Sequence, residues 1–164
     1  MIPKIEKILY ATDFSENSRI SIEWAMVLAR KHEAKLLALN VIDDVAVLAP
    51  GIQMYFTEEE WKKLKKRNET EAIGLAEARL QSFCDAVQAS TPECEYVADE
   101  ILVRRGKPVE EIVAAAQEHQ CDIIVLGTTG GGGLTDAIMG STARGVLRHS
   151  PIPVMAVPMI EKQR

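Results

Sequence analysis

The sequence predicts an α/β domain, an open parallel sheet with helices on both faces. Strand-like and helix-like segments alternate along the chain, which is the pattern of a parallel sheet wrapped by crossover helices. The strand candidates are near-continuous apolar runs such as KLLALNVI and CDIIVL, as expected of strands buried on both faces. Strand, helix and strand follow one another at the start of the chain, making a βαβ unit, and the chain closes on βαβαβ. The 164 residues suit one domain, 1–164, with its own core. There is no internal repeat, low-complexity stretch or second domain.

Residues 5–12 (IEKILYAT) read as the first strand. Residues 15–31 carry Ile20, Trp24, Val27 and Leu28 at amphipathic-helix spacing. Residues 35–42 form the second strand. Asp43 to Phe56 contains Pro50-Gly51 and has no clear period, yet holds Val45, Val47, Leu48, Ile52, Met54, Tyr55 and Phe56. This loop is either a flap over its own domain or a lid or subunit contact, and the sequence does not separate the two. Thr57-x-x-Glu60 is a capping box opening a helix whose apolar face runs through Trp61, Leu64, Ile73, Leu75, Leu80, Phe83, Cys84 and Val87. A break is expected near Asn68 or Gly74, and Ser90-Thr91-Pro92 ends the helix. Residues 95–104 are the third strand, 109–119 a helix with Pro108 at its first turn, and 122–126 the fourth strand. Residues 141–149 are a short helix and 153–157 the last strand. Asp13 or Ser15 is expected to cap the first helix.

Composition excludes several function classes. Net charge is −5 with no long basic block, which argues against nucleic acid, whose binding rests on phosphate neutralisation. The cluster Lys62-Lys63 to Lys65-Lys66-Arg67 follows Glu58-Glu59-Glu60, so it reads as a solvated helix face with i,i+4 pairs. No apolar run is long enough to span a bilayer, and the N-terminus lacks the apolar core of a signal peptide. Cys84, Cys94 and Cys121 are widely spaced, with no CxxC, so neither zinc nor a redox pair is indicated. Their odd number fits a reducing cytoplasm. His32, His119 and His149 each fall near an expected helix C-terminus, where positive charge is favoured. Metal ligation is not their expected role.

The most informative motif is Gly127-Thr128-Thr129-Gly130, nine residues, then Gly140-Ser141-Thr142. It runs from a strand end to a helix start. Glycines let the backbone come close to a ligand, and free N–H groups with the helix dipole favour an anion. A nucleotide or another phosphate compound is the expected ligand. The motif is not a P-loop, since GxxxxGK[ST] is absent. It is not a dinucleotide fingerprint either, since the first strand-to-helix turn, Thr12-Asp13-Phe14-Ser15, has no glycine. If the strand order is 3-2-1-4-5, Asp13 and Gly127 share the crevice where the order reverses.

With these residues in place, the chain resembles the universal stress protein family over nearly its whole length. The family signature G-x2-G-x9-G-[S/T] is met by Gly127, Gly130, Gly140 and Ser141. Around it lie Ile8 to Asp13 (ILYATD), Gly106-x-Pro108, Cys121 to Gly127 (CDIIVLG) and Leu147 to Val154 (LRHSPIPV). The resemblance implies a Rossmann-like, adenine nucleotide alpha hydrolase-like fold with five parallel strands in the order 3-2-1-4-5. It also implies a homodimer and the ATP-binding branch. Carried over, Gly127, Gly130, Gly140, Ser141 and Thr142 hold phosphates and ribose. Ala11, Thr12 and Asp13 line the nucleoside side, with Asp13 near the ribose or a Mg²⁺ ion. Val41 meets adenine through its backbone, and Leu126 borders the site. ATP, ADP and AMP are not distinguished.

The glycine loop departs from many relatives in carrying no basic residue. It has Thr128, Thr129 and Gly131-Gly132-Gly133, with Asp136 beyond and Arg144 as the nearest cation in sequence. Binding of a triphosphate is therefore expected to depend on Mg²⁺ unless Arg144 neutralises it, and the run of glycines predicts a mobile loop before ligand binds. Phosphoryl transfer needs a positioned nucleophile and charge stabilisation. No arginine finger or clear base is present, so slow ATP hydrolysis is the most that is expected. The expected role is a nucleotide-binding regulator in stress response with an unknown partner protein. The rivals are a weak ATPase timer and a nucleotide-free dimeric scaffold. The segment Pro153 to Val157 would be an apolar edge strand, which invites pairing with a second copy. The alternative is an edge blunted by Pro151 and Pro153 and covered by Met159-Ile160.

Overall fold

Alternation along each strand decides the architecture. In β1 (Lys7–Thr12), Ile8 and Tyr10 face one side of the sheet and Leu9 and Ala11 the other. The computed structural model describes residues 1–43, 57–93, 97–129 and 139–159. β2 (Lys35–Ile42), β3 (Glu100–Arg105), β4 (Ile123–Gly127) and β5 (Val154–Val157) complete a parallel sheet in the order β3-β2-β1-β4-β5. The expected α/β fold class and strand order are therefore observed.

Among the described residues, four helices cover the sheet. On one face, α1 (Glu16–His32) brings Ile22, Ala25 and Met26 and α2 (Glu58–Ser90) brings Leu80, Cys84 and Val87 against Ile8, Tyr10, Leu36, Ala38 and Val125. On the other, α3 (Pro108–Glu118) brings Ile112, Ala115 and Ala116 and α4 (Ser141–His149) brings Ala143 and Val146 against Leu9, Leu37, Leu39, Ile124 and Leu126. Each large aliphatic side chain fully buried in these layers contributes about 1.5–3 kcal/mol.

Two carboxylates set strand starts. Asp122 Oδ2 accepts the N–H groups of Glu6 (2.8 Å) and Lys7 (2.9 Å). The ladder therefore begins at Lys7 rather than residue 5, and β4 at Ile123 rather than 122. Asp99 Oδ2 accepts Leu36 N–H (2.7 Å) while Asp99 N–H donates to Leu36 O (2.8 Å). β3 accordingly starts at Glu100, five residues later than the sequence suggests. β5 starts at Val154, one residue later than expected, and α3 runs one residue earlier at each end.

Two helices differ from expectation in more than their ends. α2 is continuous through Asn68 and Gly74, opened by the capping box that the sequence shows. Gly74 is exposed with open space around it, so it weakens the helix without a packing reason to break it. In α1 the buried face is Asn17, Ser18, Ser21, Ile22, Ala25 and Met26. Of the expected apolar stripe, Ile20 and Leu28 are partly buried against this core, whereas Trp24 (43% exposed) and Val27 (55%) point outward, so the stripe meets the sheet only in part. Ser15 is the N-cap of α1, but its hydroxyl makes no capping bond; Asp13 Oδ1 instead accepts Ser15 N–H (2.9 Å).

His32 and His149 end α1 and α4, and His119 is the C-cap of α3, as expected. Cys84 and Cys121 are buried free thiols, each pushed up to about 11 by burial. Cys94 and nearly all of the loop 43–56 lie outside the described residues, and so does Ile160. Among the described residues no helix is long and apolar enough to cross a membrane.

Candidate functional site

Chain order reverses between β1 and β4, and the strand carboxyl ends at such a point leave a crevice. A cleft of about 290 Å3 occupies it, near the lower end of ligand-site volumes, about 300–1,000 Å3. Its span follows from the sheet. Val41 lies one residue from the end of β2, Ala11 and Thr12 end β1, and Gly127 ends β4. At about 4.8 Å between strands, the cleft runs roughly 10 Å from Val41 to Gly127.

The middle of the cleft is the β1–α1 turn. Thr12 Oγ1 accepts Phe14 N–H (3.0 Å), and Asp13 Oδ1 accepts Ser18 Oγ–H (2.9 Å) as well as Ser15 N–H. Asn40 Nδ2 donates to Thr12 O (2.8 Å). Phe14 sits at φ 64°, a left-handed conformation that is uncommon for a bulky residue. Its ring is held edge-on to Phe83 (6.1 Å between centroids) and under the Arg79 guanidinium (4.4 Å). α2 thus fixes the turn that presents Asp13. Behind it, Tyr10 Oη–H donates to Ser18 O (2.6 Å), and burial pushes the phenol up to about 12. The turn therefore rests on a neutral, hydrogen-bonded ring.

The polar end is formed by the two ends of the glycine loop. Thr128 N–H donates to Val157 O (2.9 Å), continuing the β4–β5 pairing, and Thr128 O accepts Gly140 N–H (2.7 Å). The loop's entry and exit are thereby bonded to each other. Gly140 is the N-cap of α4 and offers no side chain, so no side-chain cap occupies that helix start. The first N–H groups of a helix have no partner within it. Ser141 and Thr142 line the cleft there, and so do Thr128 and Thr129.

The β2 end is apolar, with Leu39 and Val41, and Pro108 and Ile112 of α3 and Leu126 of β4 extend the apolar lining along the cleft. α3 and α4 meet through Gly145, where a Cβ would lie 2.6 Å from Val109 Cγ2. That close approach sets α4's start, and with it Ser141 and Thr142, beside α3.

The structure brings Ala11, Thr12, Asp13, Val41, Leu126, Gly127, Gly140, Ser141 and Thr142 together in this one cleft. Gly130 and the other loop glycines lie outside the described residues. Arg144 is exposed and is not among the cleft residues, so the nearest cation in sequence does not reach the site. Among the described lining residues Asp13 is the one charged group, and no group of three His, Cys, Asp or Glu that could hold a metal occurs. The sequence reading missed Ser18, Leu39, Pro108, Ile112 and Ala143, and passed over Thr128 and Thr129 as the unspecified positions of the motif. Leu39 could have been found, since it shares a strand face with Val41. Nothing in the glycine spacing points to Ile112 on α3.

Residues 4–158 match the model of the universal stress protein family. A universal stress protein of Methanothermobacter thermautotrophicus is 31% identical over 159 residues, covering 96% of this chain and 98% of that protein. Universal stress protein MJ0577 of Methanocaldococcus jannaschii is 28% identical over 160 residues, covering 93% and 94%. The solved structure of hypothetical protein MJ0577 superposes with a TM-score of 0.73 at 25% identity, covering 98% of this chain and 100% of that one. The universal stress protein from Archaeoglobus fulgidus in complex with dAMP shares the fold, with a TM-score of 0.53 at 21% identity, covering 96% and 99%.

Proposed function

The chain belongs to the universal stress protein family, and from that premise we propose that it is an adenine-nucleotide-binding regulator. It would bind ATP, ADP or AMP in the cleft at the β1/β4 switch point. The observation that carries this reading is the convergence of the β1–α1 turn, the end of β2, the loop ends at Thr128 and Gly140, and the α4 N-terminus on one crevice. Its apolar end suits a base, with Val41 offering backbone groups, and its N–H- and hydroxyl-rich end suits phosphate. The Archaeoglobus fulgidus protein in complex with dAMP carries only the fold to this chain, so the residues themselves support the ligand.

The absence of a cation among the described lining residues governs the charge the site accepts. A polyphosphate would bring its own Mg²⁺, which keeps waters and takes one or two carboxylates; Asp13, at the cleft, is the candidate ligand. With no described Lys, Arg or His in the lining to stabilise charge on a transferring phosphoryl group, hydrolysis would be slow at most. The regulator would act as a cytoplasmic homodimer through its edge strand β5, signalling occupancy to a partner protein.

A thermal-shift titration with AMP, with ATP–Mg²⁺ and with ATP in EDTA tests this. Ligand at about a hundred times its Kd adds roughly 2.7 kcal/mol. A shift with ATP–Mg²⁺ that is lost in Gly140→Val and weakened by EDTA is expected. No shift with any nucleotide, and none released on denaturation, would favour a nucleotide-free scaffold. Light scattering at micromolar concentration should give a dimer mass, and a monomer would remove the β5 pairing.

A further inference from the structure

Asn17, in the first turn of α1, is 1% exposed and hydrophilic, at a position where an apolar residue would be the simpler choice. Its Nδ2 lies 3.2 Å from Thr129 O, 3.1 Å from Thr129 Oγ1 and 3.4 Å from Val157 O. Those acceptors are 112 and 140 residues away in sequence. The amide donates across the junction where α1, the loop entry and the end of β5 meet. Gly127 makes room for it: a Cβ there would stand 2.6 Å from Asn17 Nδ2 and 2.9 Å from its Cγ. The first glycine of the motif thus has a reason that involves no ligand. Val157 O also accepts Thr128 N–H, so one carbonyl of the edge strand receives both the loop and the side chain that holds it.

We propose that Asn17 is the positioning residue of the cleft's polar end, bonding Thr129 to α1 and sharing the acceptor Val157 O with Thr128 N–H, so that these residues are in place before a phosphate arrives. This rests on the nucleotide reading of the cleft only for its effect on ligand; the restraint on the loop stands by itself. A group held in place in the free protein spares the complex the cost of ordering it. Asn17 touches the loop rather than the ligand, and it would act through Thr128 and Thr129.

The test is amide hydrogen exchange by NMR, with calorimetric titration of AMP and of ATP–Mg²⁺, on the full chain. In Asn17→Ala, Thr128 N–H exchange is expected to speed up about tenfold, and nucleotide to bind about tenfold more weakly, the effect of losing roughly one ordinary hydrogen bond. Asn17→Leu fills the space without the amide donor, so it should lose about as much as Asn17→Ala; a packing role predicts that Asn17→Leu stays near wild type. Val87→Ala, a core truncation in α2 outside the cleft, should lower stability and leave affinity unchanged. If Asn17→Ala does not fold, Asn17→Thr carries the same comparison. Unaltered Thr128 exchange, or Asn17→Leu that behaves as wild type, overturns the proposal. Wild-type protein that binds no nucleotide refutes the reading of the cleft, while Thr128 exchange in the variants still decides the role of Asn17.

Discussion

Replacing Gly145 by alanine sets two effects of opposite sign against each other. Gly145 lies in α4, where alanine should gain about 1 kcal/mol of helix propensity. The new methyl, however, would sit 2.6 Å from Val109 Cγ2 and 3.2 Å from its Cγ1. Overpacking of this kind costs about 1–3 kcal/mol. Valine in a helix has essentially one χ1 rotamer, so Val109 cannot swing aside and the cost falls toward the upper half of that range. The net expectation is a loss of about 1–2 kcal/mol, or roughly 2–8 °C in Tm for this chain length. Urea denaturation followed by circular dichroism reads the change as a lower midpoint at constant m. The diagnostic arm is the double-mutant cycle with Val109→Ala. In that background the clash is gone and Gly145→Ala should be stabilising by about 1 kcal/mol. A single Gly145→Ala variant more stable than wild type would refute the close α3–α4 packing. The destabilised variant should also bind nucleotide more weakly, since the same packing sets Ser141 and Thr142 against Pro108 and Ile112.

Gly74→Ala, with nothing near the new methyl, should raise stability by about 0.5–1 kcal/mol in the same denaturation assay; no change would show that α2 frays there. Cys84 and Cys121, both buried with thiols pushed up to about 11, should resist alkylation at pH 8 until the chain unfolds, as mapped by mass spectrometry after a timed pulse. The Tyr10 phenol, raised by burial from 10 to about 12, contributes stability present below pH 10. That contribution is lost as pH rises toward 12, so stability should decline over that window in wild type, and less steeply in Tyr10→Phe.

Much of the fold was legible because a parallel sheet buried on both faces writes itself as apolar runs. β2 and α4 were read to the residue for that reason and because Gly140 marks a helix start. α1 shows the limit. Its face toward the sheet is half made of Asn17, Ser18 and Ser21, buried because they bond to the loop, to Tyr10 and to Asp13. A reading that counts apolar residues therefore turned the helix toward Trp24 and Val27. The start of β3 was misplaced because pairing there is set by Asp99 across the sheet rather than by local pattern. In the cleft, the glycine spacing located the polar end. Ile112 and Pro108 arrive through the α3 crossover, whose placement depends on Gly145 meeting Val109, a contact that no local pattern encodes.

The bond from Gly140 N–H to Thr128 O has an evolutionary consequence. A loop whose ends are tied to each other draws little of its anchoring from the chain between them. Loop-closure entropy rises only logarithmically, about 0.6 kcal/mol for each doubling of length. The stretch between these ties can therefore be lengthened, shortened or recoloured in composition while the sheet, the α4 start and the β5 edge keep their places. A lineage, or an engineer grafting a peptide there, can thus vary that stretch with little cost to the sheet.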